Sequence, residues 1–381
     1  RRLVRILKEI QNYHMVKTTQ LADTRRGTAT QGEIGVILDY CSLWQKRPNA
    51  EGKSTRTAKQ EAEFYEGLSE INAPYGHLEV TAIKLMAVPP EEPRKYDNRG
   101  WTLFESVIID CKGGGGLGGG WIGRSLNVLA FGDDFDPVRE IAHCEQFMNK
   151  FSRSHRRPPL TPEAFGDEMH MRGEEAAAKK VNLFTNGKDQ PFLNDKYKSA
   201  FKDLVDTEVL AYKNAGWGLA KLSRTLEVFP YCTMLQDLML GGNHFGDEGA
   251  VAIAATLKAT AHQLHRLDLS RTGMTGVGLA QLAQAFKTIC PNWLSLGGNA
   301  IGDPGAEALA EVLAEPCSIR ELYVEHCAIA NVGAAAFCQA LETNTSIKHL
   351  KLSMNRIPDD NKDALHKAWG DRPSLWGGLL T

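Results

Sequence analysis

The chain has 381 residues, which is enough for roughly two or three domains with cores of their own. Hydrophobic residues make up 43% of the chain and charged residues 24%, a composition typical of soluble globular proteins. The formal net charge of -2 gives no global reason to expect nucleic-acid binding, and no apolar run is long enough to span a membrane.

The eight cysteines are scattered singly along the chain, with no CxxC pair. This pattern argues against a zinc ribbon and favours a reducing, intracellular and cytoplasmic location. The first residues, Arg1-Arg2-Leu3, carry no Met and no secretion signal, which we interpret as a truncated or processed N-terminus. The sequence predicts no metal site and no bound cofactor.

The apolar patterns of residues 1–150 alternate between helical and extended periodicity. The predicted elements, in chain order, are an amphipathic helix 1–13, an apolar strand 35–45, a helix from residue 58 that ends before Pro74, a strand 78–89, a segment 99–111 that fits either helix or strand, and a strand 125–132. This order predicts an α/β domain at 1–150 with a parallel sheet and helices on both faces. A linker with capping helices is predicted at 151–206.

A strand ending in LDY, a helix, a second strand and the motif RGWxxxE, which ends at Glu105, follow one another in this half. The order resembles a TIR domain, a flavodoxin-like α/β fold, without its first strand. In NAD-cleaving members that Glu is the catalytic carboxylate, so the resemblance implies Glu105 as a catalytic residue and NAD as the substrate. A carboxylate there would stabilise positive charge on the ribose as the bond to nicotinamide breaks. The favoured alternative is that Glu105 is an ordinary polar residue on a packed helix, because a shared fold does not carry activity.

Two weaker motifs follow. Residues 118–123 formally match the dinucleotide fingerprint GxGxxG, but a strand-like run comes next instead of a helix, which favours a flexible loop. Asp133, Asp134 and Asp136 offer oxygen ligands suited to Mg²⁺ or Ca²⁺, yet ordinary turn residues explain the cluster as well.

The second half repeats the pattern LxxLxLxxNxI in five units, followed in the first four by an Ala/Leu-rich stretch with helical spacing. The central leucines are Leu238, Leu267, Leu294, Leu322 and Leu350. The LxL alternation predicts a short strand, and stacked units bury the apolar faces that a single unit leaves exposed. A column of residues after the strands is predicted to turn the chain by bonding backbone groups: Asn243, Thr272, Asn299, Cys327 and Asn355. Val209–Val228 looks like a degenerate sixth unit that caps the stack.

These units resemble the ribonuclease-inhibitor type of leucine-rich repeat, found in ribonuclease inhibitors and NOD-like receptors. The resemblance implies a β-α solenoid over residues 207–381, with a concave parallel sheet that binds protein. The predicted partner-binding residues are Met239, Asp268, Ser295, Tyr323, Lys351, Arg266, Glu321 and His349. Their mixed charges favour a protein over nucleic acid, which would need a stripe of one sign.

The sequence favours a non-enzymatic interaction or signalling scaffold that binds a protein partner on the concave face. One alternative is a TIR-type NAD hydrolase with the repeats as its sensor. Another is a structural subunit of a large assembly. No GKS or GKT loop separates the two halves, so a full NOD-like receptor architecture is not predicted for this chain. The oligomeric state stays open.

Overall fold

In this computed structural model, the described residues are 56–70, 82–88, 95–111, 128–131, 156–184, 189–260, 262–370 and 372. The predicted helix 1–13, the predicted strand 35–45, the glycine run and the aspartate cluster lie outside these residues. The chain divides into two compact units, and each is described by itself. The first is Arg1–Tyr96 with Leu126–Ser152, and the second is Asp97–Ser125 with Arg153–Thr381.

The first unit contains helix α1 (Ala58–Ser69) and strands β1 (Ala82–Leu85) and β2 (Val128–Phe131). Helix α1 begins at a capping box, in which Gln60 N–H donates to Thr57 Oγ1 at 3.2 Å and Thr57 N–H donates to Gln60 Oε1 at 3.0 Å. The two strands pair in parallel, from Ala82 beside Val128 to Leu85 beside Phe131. The helix and both strands confirm three predicted elements. A parallel pair is common to many α/β folds, so it does not distinguish a TIR domain.

The second unit opens with helix α2 (Gly100–Asp110), so the segment that fitted either pattern is helical. It packs with α3 (Pro162–Ala178) and α4 (Asp189–Val205) through aromatic side chains. The rings of Phe104 and Phe165 lie 6.2 Å apart, and Phe165 stacks on Tyr197 at 4.2 Å.

The sequence places residues 99–111 in the domain 1–150, whereas the structure groups them with the second unit. The physical reason is that α2 is apolar on nearly every side and buries most of its residues. A helix of this composition needs partners around it, and the aromatic faces of α3 and α4 provide them. The predicted domain limits at residues 150 and 206 stay predictions.

Six short parallel strands form one sheet in chain order. They are β3 (Val209–Ala211), β4 (Asp237–Met239), β5 (Arg266–Asp268), β6 (Trp293–Ser295), β7 (Glu321–Tyr323) and β8 (His349–Lys351). The register places Leu210 beside Leu238 and continues through each central leucine to Leu350. The predicted alignment of five units is confirmed, and Val209–Ala211 adds a sixth strand at the N-terminal edge.

A helix follows each strand of this sheet, and neighbouring helices pack side by side. The helices are α5 (Leu219–Glu227), α6 (Gly246–Thr260), α7 (Gly276–Phe286), α8 (Gly302–Ala314), α9 (Asn331–Thr343) and α10 (Asp359–Trp369). The central leucines and the apolar side of each helix are buried in one continuous core. Each fully buried leucine contributes about 2 kcal/mol, so the stack is stabilised unit by unit.

The near-identical stretches GDEGA and GDPGA hold successive coils together at the helix starts. Asp247 accepts from the backbone N–H and the hydroxyl of Thr275 in the next coil, each at 2.7 Å. Asp303 accepts from the Ala330 N–H of its own next coil at 2.7 Å. A Cβ on Gly278 would lie 2.4 Å from Asp247 Oδ1, so glycine is needed where the carboxylate approaches. In both stretches the aspartate bonds the start of the helix in the next coil.

Candidate functional site

The candidate site is the face of the six-stranded sheet opposite the helices, which we call the strand face. The central leucines point into the core, so the residues on either side of them point the other way. The column before the leucines is Val209, Asp237, Arg266, Trp293, Glu321 and His349. The column after them is Ala211, Met239, Asp268, Ser295, Tyr323 and Lys351.

An aromatic pair forms the centre of the strand face. The ring centroids of Trp293 and Tyr323 lie 5.2 Å apart, and the Arg266 guanidinium lies 4.9 Å from the Trp293 ring centroid. The Tyr323 hydroxyl donates to Glu321 Oε2 at 2.9 Å. Burial and this bond to a carboxylate raise the pKa of Tyr323 to about 12, so the hydroxyl stays protonated. The aromatic rings are therefore held in place before any ligand arrives.

Trp293 is absent from the predicted partner-binding residues, although Tyr323, Arg266 and Glu321 are among them. The prediction counted aromatic residues only in the column after the leucines. Trp293 occupies the column before them, at the position that Arg266 and Glu321 hold in their own units. The same column alignment that selected Arg266 would have selected Trp293.

The Asp268 side chain is buried and paired within the chain, so it is not exposed to a partner. Its side chain is 1% exposed and forms an ion pair with Lys213 from β3's coil. It also accepts from the Ser270 N–H at 3.0 Å and the Ser270 hydroxyl at 2.7 Å. A Cβ on Gly241 would lie 2.8 Å from Asp268 Oδ1, so glycine leaves room for the carboxylate. Ser295 is also buried, at 8% exposure. These two predicted residues offer a partner little surface.

Charges are arranged in order along the strand face. Asp237 lies on β4 and Glu208 directly precedes β3, and burial raises the pKa of the Asp237 carboxyl while Arg266 opposes that shift. The last strand carries His349 and the exposed Lys351, which lies 3.7 Å from Glu325. Acidic side chains therefore lie toward the first strands and basic side chains on the last, with Lys213 beside the first strand and Glu325 beside Lys351 as the exceptions.

The predicted turn column lies in the core and bonds backbone groups of its own and the preceding coil. Asn299 Oδ1 accepts from the N–H groups of Thr272 at 2.9 Å and Met274 at 3.2 Å. Its Nδ2 donates to the carbonyls of Leu269 at 2.8 Å and Leu296 at 2.7 Å.

Asn243 and Asn355 repeat this arrangement in their own coils. Thr272 and Cys327 take the same position with fewer bonds. The Thr272 hydroxyl donates to the Leu269 carbonyl at 3.0 Å and to Asn299 Oδ1 at 3.2 Å, and the Cys327 thiol donates to the carbonyls of Leu296 and Glu325. Burial raises the pKa of Cys327 to about 12, so this thiol stays neutral in the core. The whole column is therefore occupied by bonds within the chain.

Glu105 lies half-buried on α2, at the end of the WxxxE motif. Trp101 of the same motif donates from Nε1 to Asp189 Oδ2 at 3.0 Å and packs beside Phe192 of α4. The motif thus helps to attach α2 to the capping helices. The far end of α2 is fixed as well, because the Asp110 carbonyl accepts from the buried Arg156 at 2.6 Å.

The described part of the chain holds no group of three or more His, Cys, Asp or Glu side chains that could bind a metal ion. Within that same part, no helix has the length and apolar character needed to cross a bilayer.

Comparison with known proteins bears on the repeats. A family model described as "Leucine Rich repeat" matches residues 231–254, 294–310 and 315–338. The repeats are leucine-rich repeats. The chain is 26% identical over 196 residues to the ribonuclease inhibitor of Mus musculus, covering 51% of this chain and 43% of the relative. It is 32% identical over 169 residues to that of Sus scrofa, covering 42% and 36%.

A human relative, "NACHT, LRR and PYD domains-containing protein 5", is 30% identical over 142 residues, covering 37% of this chain and 12% of the relative. The chain thus spans less than half the length of each of these three relatives. The likeness to repeats of ribonuclease inhibitors and of NACHT- and LRR-containing proteins agrees with the predicted repeat type. The TIR-like resemblance of the N-terminal half stays a hypothesis.

Proposed function

We propose that the second unit is a non-enzymatic interaction scaffold that binds a protein partner on the strand face. The aromatic pair Trp293 and Tyr323, held between Arg266 and Glu321, is the observation that carries this proposal. Rigid, half-buried tryptophan, tyrosine and arginine side chains supply most of the binding energy in protein interfaces. Little conformational entropy is lost when such a surface is covered, because its side chains are already ordered.

The positions of the charged side chains on the strand face indicate which groups a partner would place opposite them. A complementary surface would carry a basic group opposite Asp237, an apolar or aromatic group against Trp293 and an acidic group opposite Lys351. Charge pairs at the rim would steer the encounter, while the aromatic centre would set the dissociation rate. The relatives named ribonuclease inhibitor are, by name, proteins that act on a protein, which supports a protein as the class of ligand.

The packing of the WxxxE motif favours the scaffold over the NAD hydrolase. Trp101 attaches α2 to α4, and Arg156 joins the far end of α2 to the Ala211 carbonyl of the repeats. These contacts give Trp101 a structural role, which supports the scaffold over a catalytic role for the motif. We also propose an intracellular location, supported by free thiols at every cysteine within the described residues.

Site-specific photocrosslinking in cells tests this proposal. A photoreactive residue at the exposed Lys351 on the strand face would be compared with one at Val277, which is 72% exposed on α7. We expect a discrete crosslinked species from position 351 that Trp293→Ala reduces by about tenfold or more. Equal crosslinking from both positions, or no effect of Trp293→Ala, would contradict a binding site on this face.

A further inference from the structure

Two cysteines from adjacent coils meet beside the strand face. Cys290 lies in the turn before β6, and Cys317 lies in the equivalent turn before β7. The two turns precede neighbouring strands of the sheet, so each thiol shifts the pKa of the other, and both thiols are free. Both turns belong to the second unit, and both side chains are only partly buried. The repeat itself therefore brings a dithiol to the surface.

The sulfur of Cys317 is surrounded by hydrogen-bond donors. Ser346 Oγ lies 3.5 Å from it, and Asn344 Nδ2 lies 3.8 Å from it. Asn344 is fixed in that position, because its Nδ2 also donates to the Leu313 carbonyl at 2.7 Å and its Oδ1 accepts from the Ile347 N–H at 2.9 Å. A fixed set of donors around one sulfur stabilises the thiolate over the thiol.

The two thiols are consequently unequal. The hydrogen bond from Cys290 is the largest influence on the pKa of Cys317 and lowers it, burial opposes this, and the bonds from Ser346 and Asn344 lower it further. The same hydrogen bond and burial raise the pKa of Cys290. The pKa of Cys338, on α9, is also raised by burial. Cys317 is therefore the thiol that ionises first.

Cys317 also opens into a cavity of about 380 Å³ on the same side of the sheet. Its lining is polar and basic, with the exposed Arg320 and Lys348, Asn292 and the hydroxyl groups of Ser318, Thr345 and Ser346. This volume is within the range of small-molecule sites. Two cations beside a thiolate would attract a small anionic molecule and orient it toward the sulfur.

We propose that Cys317 is a modification site for anionic low-molecular-weight disulfides, and that Cys290 is the thiol that resolves the adduct. The Cys317 thiolate attacks one sulfur of the small disulfide, which forms a mixed disulfide and releases one small thiolate. Cys290 then loses its proton to solvent and attacks the Cys317 sulfur. The second small thiolate leaves, and a Cys290–Cys317 disulfide forms. Two protein thiols are oxidised by two electrons, and one small disulfide is reduced to two thiols.

The order of the steps follows from the contacts. While Cys317 is a thiolate, its charge and hydrogen bond hold the proton on Cys290. Once Cys317 is capped, that negative charge is gone, and Cys290 becomes easier to deprotonate. This site does not depend on the proposed partner-binding function, although Arg320 and Lys348 directly precede strands β7 and β8.

The test is reaction of the folded full chain with glutathione disulfide near pH 7, followed by peptide mass spectrometry. We expect Cys290→Ser to keep one glutathione on Cys317, and the parent to end with a Cys290–Cys317 disulfide. Cys338→Ser, the matched control, should behave as the parent does. In the parent itself, Cys317 should be modified about tenfold faster than Cys338. Equal rates at Cys317 and Cys338, or no adduct in folded Cys290→Ser, would overturn the proposal.

A second measurement distinguishes the contribution of the basic cavity residues to the reaction rate from the intrinsic reactivity of the Cys317 thiol. The double variant Arg320→Ala/Lys348→Ala should react about threefold or more slowly with glutathione disulfide but unchanged with a neutral hydroxyethyl disulfide. Equal slowing with both reagents would overturn the role of the cations. The kinetics of the parent need no variant, so misfolding of a substituted chain cannot hide the result.

Discussion

Removing the amide of Asn299 should destabilise the repeats strongly, because this side chain bonds four buried backbone groups. Asn299→Ala leaves two N–H groups, of Thr272 and Met274, and two carbonyls, of Leu269 and Leu296, without this partner. Each buried polar group left unsatisfied costs about 1 kcal/mol or more, so the expected loss is about 4 kcal/mol. The Thr272 hydroxyl still donates to the Leu269 carbonyl at 3.0 Å, which limits the damage at that group.

Urea unfolding followed by far-ultraviolet circular dichroism measures this loss. The midpoint should fall with little change in slope, since the surface exposed on unfolding stays nearly the same. Gln281→Ala, an amide removed from an exposed position of α7, is the matched control and should cost less than about 0.5 kcal/mol. A loss for Asn299→Ala below about 1 kcal/mol would refute the reasoning, since it would mean that water or the neighbouring coil replaces the amide.

Four further outcomes are expected. Arg156→Met should cost about 3 kcal/mol in urea unfolding, because the buried guanidinium donates to the carbonyls of Ala211 at 2.8 Å and Asp110 at 2.6 Å. Gly278→Ala should lower the free energy of unfolding by about 1–3 kcal/mol, because the new methyl group meets a carboxylate held by two bonds. Trp293→Ala should leave the repeats folded, as judged by circular dichroism, while reducing strand-face crosslinking. Iodoacetamide should alkylate Cys317 with a pH midpoint below the ordinary cysteine value of about 8.5.

The lowered pKa of Cys317 also makes the stability of the fold depend on pH in a defined direction. A thiol whose pKa is lowered in the folded state stabilises the fold above its unfolded pKa, and this contribution is lost as the pH falls through the folded value. Ser346→Ala removes one donor and should move the alkylation midpoint upward. An unchanged alkylation midpoint in that variant would contradict the role given to the hydroxyl.

For Arg156→Met and Gly278→Ala, a loss of unfolding free energy no larger than that of Gln281→Ala would contradict the packing described.

The repeats were predictable from the sequence because the pattern within each unit specifies its own secondary structure. The leucine spacing and the polar turn position recur in every unit, and their periodicity specifies strand, turn and helix locally. The sheet register follows once identical units stack, which is why the alignment on Leu238 and its equivalents is reproduced strand by strand. The roles of Gly278 and Asp247 follow from the same recurrence, since one coil caps the next.

The assignment of residues 99–111 was not predictable in the same way. Their pattern is apolar on nearly all sides, which fits a buried strand or a buried helix and names no neighbour. Only the packing of Phe104 against Phe165 and of Trp101 against Phe192 shows which elements cover this helix. A motif of two residues at a fixed spacing, such as WxxxE, likewise does not reveal whether its residues face a cleft or a neighbouring helix.

The sequence by itself determined the repeat, its register and the columns that line the strand face, because these depend on spacing within each unit. Only the tertiary structure decided which residues of these columns are exposed for a partner to contact. Asp268 is covered because Lys213 reaches it from another coil. Trp293 and Tyr323 form the centre of the strand face because their rings pack together across two neighbouring strands. The contact between Cys290 and Cys317 is likewise a product of stacking. Exposure and pairing depend on neighbours distant in sequence, and a local pattern does not contain them.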